Sequence, residues 1–222
     1  MPMDIPQVNY GLQTDYKRLY YSEPEAALKV PVTIMPGYGK LEQGTALALN
    51  GSAGGQKAKV FPYDPAAAPD GKAVRPAAAF LVTDSGTSSN ILYTTLDDSY
   101  KFEVGDDIYI EDDTTTAENL GAITAIDRTT YTNRAAITVT NVTGSTSFTT
   151  ARFAYIAVEG YDTCVGILEK TVDTGTGSSA KGALSTMILG NCVLYNGMLT
   201  NFDSAAITDL SAGSYGQYVY IR

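Results

Sequence analysis

The sequence contains no histidine, no tryptophan and only two cysteines. Without histidine, Ser-His-Asp and Cys-His catalysis are excluded within one chain, so any general acid or base is a carboxylate, lysine, tyrosine or cysteine. Two cysteines without histidine also fall short of a zinc ligand set. No apolar run reaches the ~20 residues of a membrane-spanning helix. The first residues, Met1-Pro2-Met3-Asp4, lack a basic segment followed by an apolar one, so no secretory leader is expected. Positive charge is scarce too. The 15 Lys and Arg against 24 Asp and Glu leave a net charge of −9, which phosphate backbones repel. Neither direct nucleic-acid binding nor a membrane partner is expected, and no residue pattern calls for a cofactor.

What is present is globular: 222 residues, 44% hydrophobic and 18% charged, enough for one sizeable domain or two small ones. The charge is uneven. Residues 77–160 hold twelve acids against four bases, a net of −8, whereas the remainder is nearly neutral. That asymmetry indicates two bodies with different surroundings, one strongly solvated and one lying against a partner.

Residues 1–33 read as an arm. Prolines at 2, 6, 24 and 31 interrupt it, and its apolar residues keep no steady period. Alone, such a segment buries too little to offset its ordering entropy. A frayed terminus is one reading; its tyrosines, Tyr10, Tyr16, Tyr20 and Tyr21, are efficient contact residues on a partner surface and favour an arm that orders on binding. Residues 45–49 and 57–61 read as strands around Asn50-Gly51-Ser52-Ala53-Gly54-Gly55, a turn rich in residues that tolerate positive φ. Pro62-Tyr63-Asp64-Pro65 then breaks regular structure. Within 77–160, alternating runs at 100–104, 108–110, 120–126, 136–142 and 152–158 indicate a small antiparallel barrel or sandwich. Apolar strands return at 164–168, 183–189, 192–195 and 218–221, and Asp203-Ser204 is placed to cap a short helix through Leu210. Cys164 and Cys192 sit in apolar stretches and read as buried thiols; a disulfide stays open, since spacing alone does not give the geometry.

Three motifs bear on chemistry. Asp84-Ser85-Gly86-Thr87 and Asp173-Thr174-Gly175-Thr176 match the Asp-Ser/Thr-Gly pattern in which two carboxylates share a proton and activate water. These residue types are equally ordinary in turns between strands. Gly175-Thr176-Gly177-Ser178-Ser179-Ala180-Lys181-Gly182 lacks the Gly-Lys-Ser/Thr order of a phosphate loop and reads as a flexible loop. Asp106, Asp107, Glu111, Asp112 and Asp113 are oxygen ligands without the spacing of a calcium loop, and read as a solvated strand rim. No catalytic, cofactor-binding or metal-binding residue is therefore assigned.

Four stretches resemble one family, the lambda-type bacteriophage head decoration proteins. Lys40-Leu41-Glu42-Gln43-Gly44-Thr45-Ala46-Leu47-Ala48-Leu49 resembles the family's opening strand. Val60-Phe61-Pro62-Tyr63-Asp64-Pro65-Ala66-Ala67 is similar to its Tyr-Asp-Pro block. Cys164-Val165-Gly166-Ile167-Leu168-Glu169-Lys170-Thr171-Val172-Asp173 resembles its Val-Gly-Ile-Leu strand, and Val193-Leu194-Tyr195-Asn196-Gly197-Met198-Leu199 its closing part. Their order carries the resemblance. In the family only a short connection separates the second stretch from the third; here residues 77–160 intervene, as a domain inserted in a surface loop would. Within them, Val104-Gly105-Asp106-Asp107-Ile108-Tyr109-Ile110 and Gly121-Ala122-Ile123 resemble an SH3-like barrel.

The resemblance implies a mainly β, β-tulip-like fold. It has a capsid-binding arm (1–33), a trimerising decoration domain (34–76 with 161–222) and an outward-projecting inserted β domain (77–160). It implies a non-enzymatic virion protein that binds the major capsid protein on the outer face of the expanded capsid. Such a protein forms homotrimers at threefold sites and holds the shell against internal DNA pressure, and it is located on the virion and, during assembly, in the host cytoplasm. Tyr10, Tyr16, Tyr20 and Tyr21 would make the capsid contacts, and the insert could touch a host surface or glycan. The competing readings are another β-rich phage component, a head fibre or tail protein, and an aspartic-type hydrolase using Asp84 and Asp173.

Overall fold

A computed structural model describes residues 19–22, 26–52, 59–65, 75–113, 117–141, 147–212 and 219–221. The protein is mainly β. Five strands come first: β1 (Tyr20–Ser22), β2 (Leu28–Ile34), β3 (Lys40–Leu41), β4 (Ala46–Leu49) and β5 (Lys59–Pro62). Six more follow: β6 (Ala79–Phe80), β7 (Ile91–Thr95), β8 (Asp107–Glu111), β9 (Glu118–Asp127), β10 (Arg134–Val139) and β11 (Tyr155–Val158). The chain then forms β12 (Cys164–Leu168), β13 (Val172–Asp173), β14 (Ala183–Gly190), β15 (Cys192–Leu194), helix α1 (Ser204–Ala212) and β16 (Val219–Ile221).

Two barrels result. Strands β12, β14, β2, β5 and β4 close on themselves. Strands β6, β11, β8, β9, β10 and β7 form one antiparallel sheet whose edges meet where Leu81 bridges Thr94. The first barrel thus joins strands from both ends of the chain, while the second is built wholly from the Thr- and Asp-rich middle. A small sheet, β1-β15-β16, and the pair β3-β13 complete the fold.

Alternation explains the packing. All five strands of the first barrel contribute to one apolar cluster, through Ile34, Leu47, Val60, Leu168, Met187 and Leu189. Neighbouring residues point the other way, as the strand period of two requires. Ala46, Ala48, Phe61, Cys164 and Ile167 therefore belong to a second cluster. That cluster continues into the second barrel through Ile108, Ile123, Ile137 and Phe148, and reaches Ala206 and Leu210 of α1. Strands β4, β5 and β12 are buried on both faces, which is why they read as unbroken apolar runs.

Two expectations are corrected. Residues 28–33, assigned to the arm, lie in the first barrel, where β2 pairs with β14 along its whole length. Pro31 argued against a strand, but β5 joins β2 only at Thr33 and Ile34. The donor that proline lacks falls where no described strand asks for it. Residues 100–104, expected as a strand, begin inside a 3-10 turn at Asp98–Lys101. Asp98 N–H donates to Thr95 Oγ1, and Ser99 Oγ donates to the Leu96 carbonyl. These side-chain bonds fix the turn. Phe102 is buried but Val104 is exposed, so the alternation there mimics a strand without forming one.

The barrels meet at close quarters. Gly37, at φ +88°, places its Cα where an added Cβ would stand 2.7 Å from backbone atoms of Tyr100 and Lys101. Gly160, at φ +90°, faces the Leu49 carbonyl in the same way. Lys59 pairs with Glu103 at 2.5 Å, and Asn50 Nδ2 donates to Asp106 Oδ1 at 2.9 Å. We expect Gly37→Ala to destabilise the protein by about 1–3 kcal/mol or more, from left-handed strain plus backbone overlap, read as a lower melting temperature. Gly105→Ala, also at positive φ but with open space around it, isolates the strain alone and should cost less.

Candidate functional site

The root of the N-terminal segment is built into the first barrel's rim. β1 pairs antiparallel with β15, and Tyr195 N–H donates to the Leu19 carbonyl. Leu19 is fully buried. Tyr20 is buried as well, and its hydroxyl donates to Glu169 Oε1 at 3.2 Å. Lys29 Nζ lies 2.5 Å from the same oxygen and 5.2 Å from the Tyr20 ring centroid. A carboxylate buried to this degree requires a cation and donors close by, and Lys29 and Tyr20 supply them. Tyr21 turns outward, with its ring edge-on to Tyr195 at 5.2 Å, and both rings are exposed. Of the four arm tyrosines, Tyr20 holds the stem and Tyr21 is presented to solvent; Tyr10 and Tyr16 lie outside the described residues.

The second constellation is the junction where the chain crosses between barrels. It leaves after β5 and returns before β12, and Asp64 ties both crossings together. Asp64 N–H donates to the Tyr161 carbonyl, and Asp64 Oδ1 accepts the Ala77 N–H at 3.0 Å. Its Oδ2 is buried with no hydrogen-bond partner among the described residues. Burial raises the Asp64 carboxyl to about 7, against smaller lowering by the Ala77 N–H and by the charge of Arg75. Beside it, Glu111 accepts hydrogen bonds from the hydroxyls of Tyr155 and Tyr161, and the Arg75 guanidinium lies 4.8 Å from the Tyr155 ring centroid. Asp106 also titrates above its usual range, chiefly through burial. Sequence reasoning marked the Tyr63-Asp64-Pro65 block without finding this role, because a buried carboxylate and a turn carboxylate look alike in sequence.

The other motifs resolve into local structure. Asp84 accepts from the Thr150 N–H and hydroxyl, which hold its carboxyl below the usual range. Asp173 lies in β13 opposite Lys40 and accepts the Gly175 N–H. Each carboxylate is thus engaged locally, Asp84 in the loop between β6 and β7 and Asp173 in β13. The segment around Gly177 is a 3-10 turn capped reciprocally by Thr176 and Ser179. The acidic run is split by strand alternation: Asp106 and Asp112 are buried, whereas Asp113 is exposed. Among the described residues no three Asp, Glu or Cys side chains gather as a metal site. Cys164 and Cys192 are both free and buried, and burial pushes their thiols up to about 12 and about 11.

Comparison with protein-family models, with curated proteins and with solved structures gave no match.

The raised Asp64 carboxyl makes stability depend on pH in a defined direction. Unfolded, it ionises near 3.8; folded, it stays protonated to about 7. Its contribution is full below the unfolded value and is lost as pH rises toward 7. At about 1.36 kcal/mol per unit, the loss is on the order of a few kcal/mol. Asp64→Asn keeps the Oδ1 acceptor and cannot ionise. We expect it to melt higher than the parent at pH 8 and to flatten the decline between pH 4 and 7. An unchanged slope would show that Asp64 ionises freely in the folded protein.

Proposed function

We propose that this chain is a structural virion protein that binds the outer surface of an expanded phage capsid as trimers and stabilises it against internal DNA pressure. One observation carries the reading. The stretches that resemble the head decoration family, split in sequence by residues 77–160, supply adjoining strands of one fold. β4 pairs with both β5 and β12, and β3 pairs with β13. The intervening strands form their own sheet. This supports a decoration-type body carrying an additional barrel.

The stem supports the same reading. Glu169 and Lys29 hold the stem at Tyr20 in β1, and Tyr21 and Tyr195 present an exposed aromatic pair beside it. An arm that orders on a partner, as expected from the sequence, would lose entropy on binding, which trimer avidity would offset. Addition of a strand to a capsid sheet edge is the mode best suited to such a segment.

Co-sedimentation with expanded capsids that lack the protein tests the proposal. Saturable binding near one copy per capsid subunit is expected. Deletion of residues 1–18 should leave a folded protein with little capsid affinity. Deletion of residues 1–33 should fail to fold, because it removes most of β2. No capsid binding by the full chain would leave the matched stretches as a likeness of sequence alone and bring the head-fibre or tail reading forward.

A further inference from the structure

Arg134 opens β10 where three segments of the second barrel meet. Its guanidinium lies 4.3 Å from the ring centroid of Tyr93 on β7 and 4.6 Å from that of Tyr131 in the β9–β10 turn. The two rings pack edge to face at 5.5 Å, with their hydroxyl oxygens 3.4 Å apart. Arg134 Nη1 donates to Thr83 Oγ1 at 3.1 Å. A guanidinium carries five N–H donors, and among the described residues no carboxylate forms an ion pair with this one.

That situation sets it apart from its neighbours. Of the four bases in residues 77–160, Lys101 pairs with Asp98, and Arg128 gives its N–H groups to the Ser99 and Phe102 carbonyls. Arg152 is exposed at a turn. Arg128 also lies over a ring, that of Tyr100 at 4.4 Å, but its N–H groups are taken by backbone carbonyls; Arg134 is held by two aromatic faces and one hydroxyl, with no ion pair among the described residues. Rings fix its position without neutralising it.

An open recess of about 410 Å³ lies at this cluster, lined by Val82, Thr83, Tyr131, Thr132, Asn133 and Arg134. Val82 is exposed and apolar, and the Tyr131 ring adds aromatic surface. Thr83, Thr132 and Asn133 offer short polar groups. A sugar ring has the matching chemistry: an apolar C–H face, hydroxyls at its rim and, in uronic or sialic acids, one carboxylate. Arg recognises a carboxylate through two parallel N–H bonds. The net charge of −8 on residues 77–160 disfavours densely charged polyanions, so the ligand class is narrowed to sparsely charged acids.

We propose that this recess binds a carboxylate-bearing saccharide, with Arg134 taking the carboxylate and Val82 and Tyr131 flanking the sugar ring. The proposal does not depend on shell binding, and the isolated full chain serves to test it. Calorimetric titration would compare a glucuronic-acid oligosaccharide, sialyllactose, and the carboxyl-reduced counterpart of each. Saturable binding of at least one acidic probe, at least tenfold tighter than its neutral counterpart, is expected. Arg134→Lys keeps the charge but not the planar fork, and should weaken binding at least tenfold while the variant still folds and melts in one cooperative transition. Asn133→Ala, in the turn, should weaken it less, and Arg152→Ala should leave it unchanged. Absence of saturable binding to both acids, equal affinity for the neutral probes, or full binding by Arg134→Lys would each overturn the assignment.

Discussion

Strands β4, β5 and β12 carry apolar side chains on both faces, and neither face can be left in water. Leu47, Val60 and Leu168 fill the first barrel; Ala46, Phe61 and Ile167 point outward and demand a cover. The second barrel and α1 provide it. Fully burying one such large side chain contributes about 1.5–3 kcal/mol, so the shared cluster binds the two barrels far more firmly than their connecting segments could. The positive-φ glycines at 37 and 160 follow from this constraint, because backbones pressed that closely leave no room for a Cβ.

Close docking also traps polar groups between the barrels. Asn50 and Asp106 answer each other, Lys59 answers Glu103, and Asp64 bonds to both crossing segments. Asp64 is the least satisfied of these, with one buried oxygen unmatched among the described residues. Its resistance to ionisation below neutral pH follows directly, since an isolated buried carboxylate is costlier than a protonated one.

The exposed aromatic pair of the stem and the Arg134 recess both lie away from the junction. The stem is anchored by buried groups, and Tyr21 and Tyr195 face outward from it. The second barrel holds most of the net charge, and the Arg134 guanidinium, packed against two rings and without an ion pair among the described residues, stands at an open recess. Under the two proposals above, the stem would serve a partner and the charged barrel a separate ligand, distinct tasks on one chain.

By itself the sequence determined the class of fold and much of the strand order. The alternation in residues 108–110 and 120–126, the apolar run at 164–168 and the Asp203 cap, which accepts the Ala206 N–H, are local signals that local structure obeys. It also marked the middle segment as different, because charge density is readable without coordinates. Tertiary structure alone decided that Leu28–Ile34 is a barrel strand despite Pro31, that residues 100–104 are not a strand, and that Asp64 is buried. It alone brought together Tyr93, Tyr131 and Arg134. Each of these depends on a partner far away in the chain, and a partner's identity is set by which faces must be covered, which no local window of sequence contains.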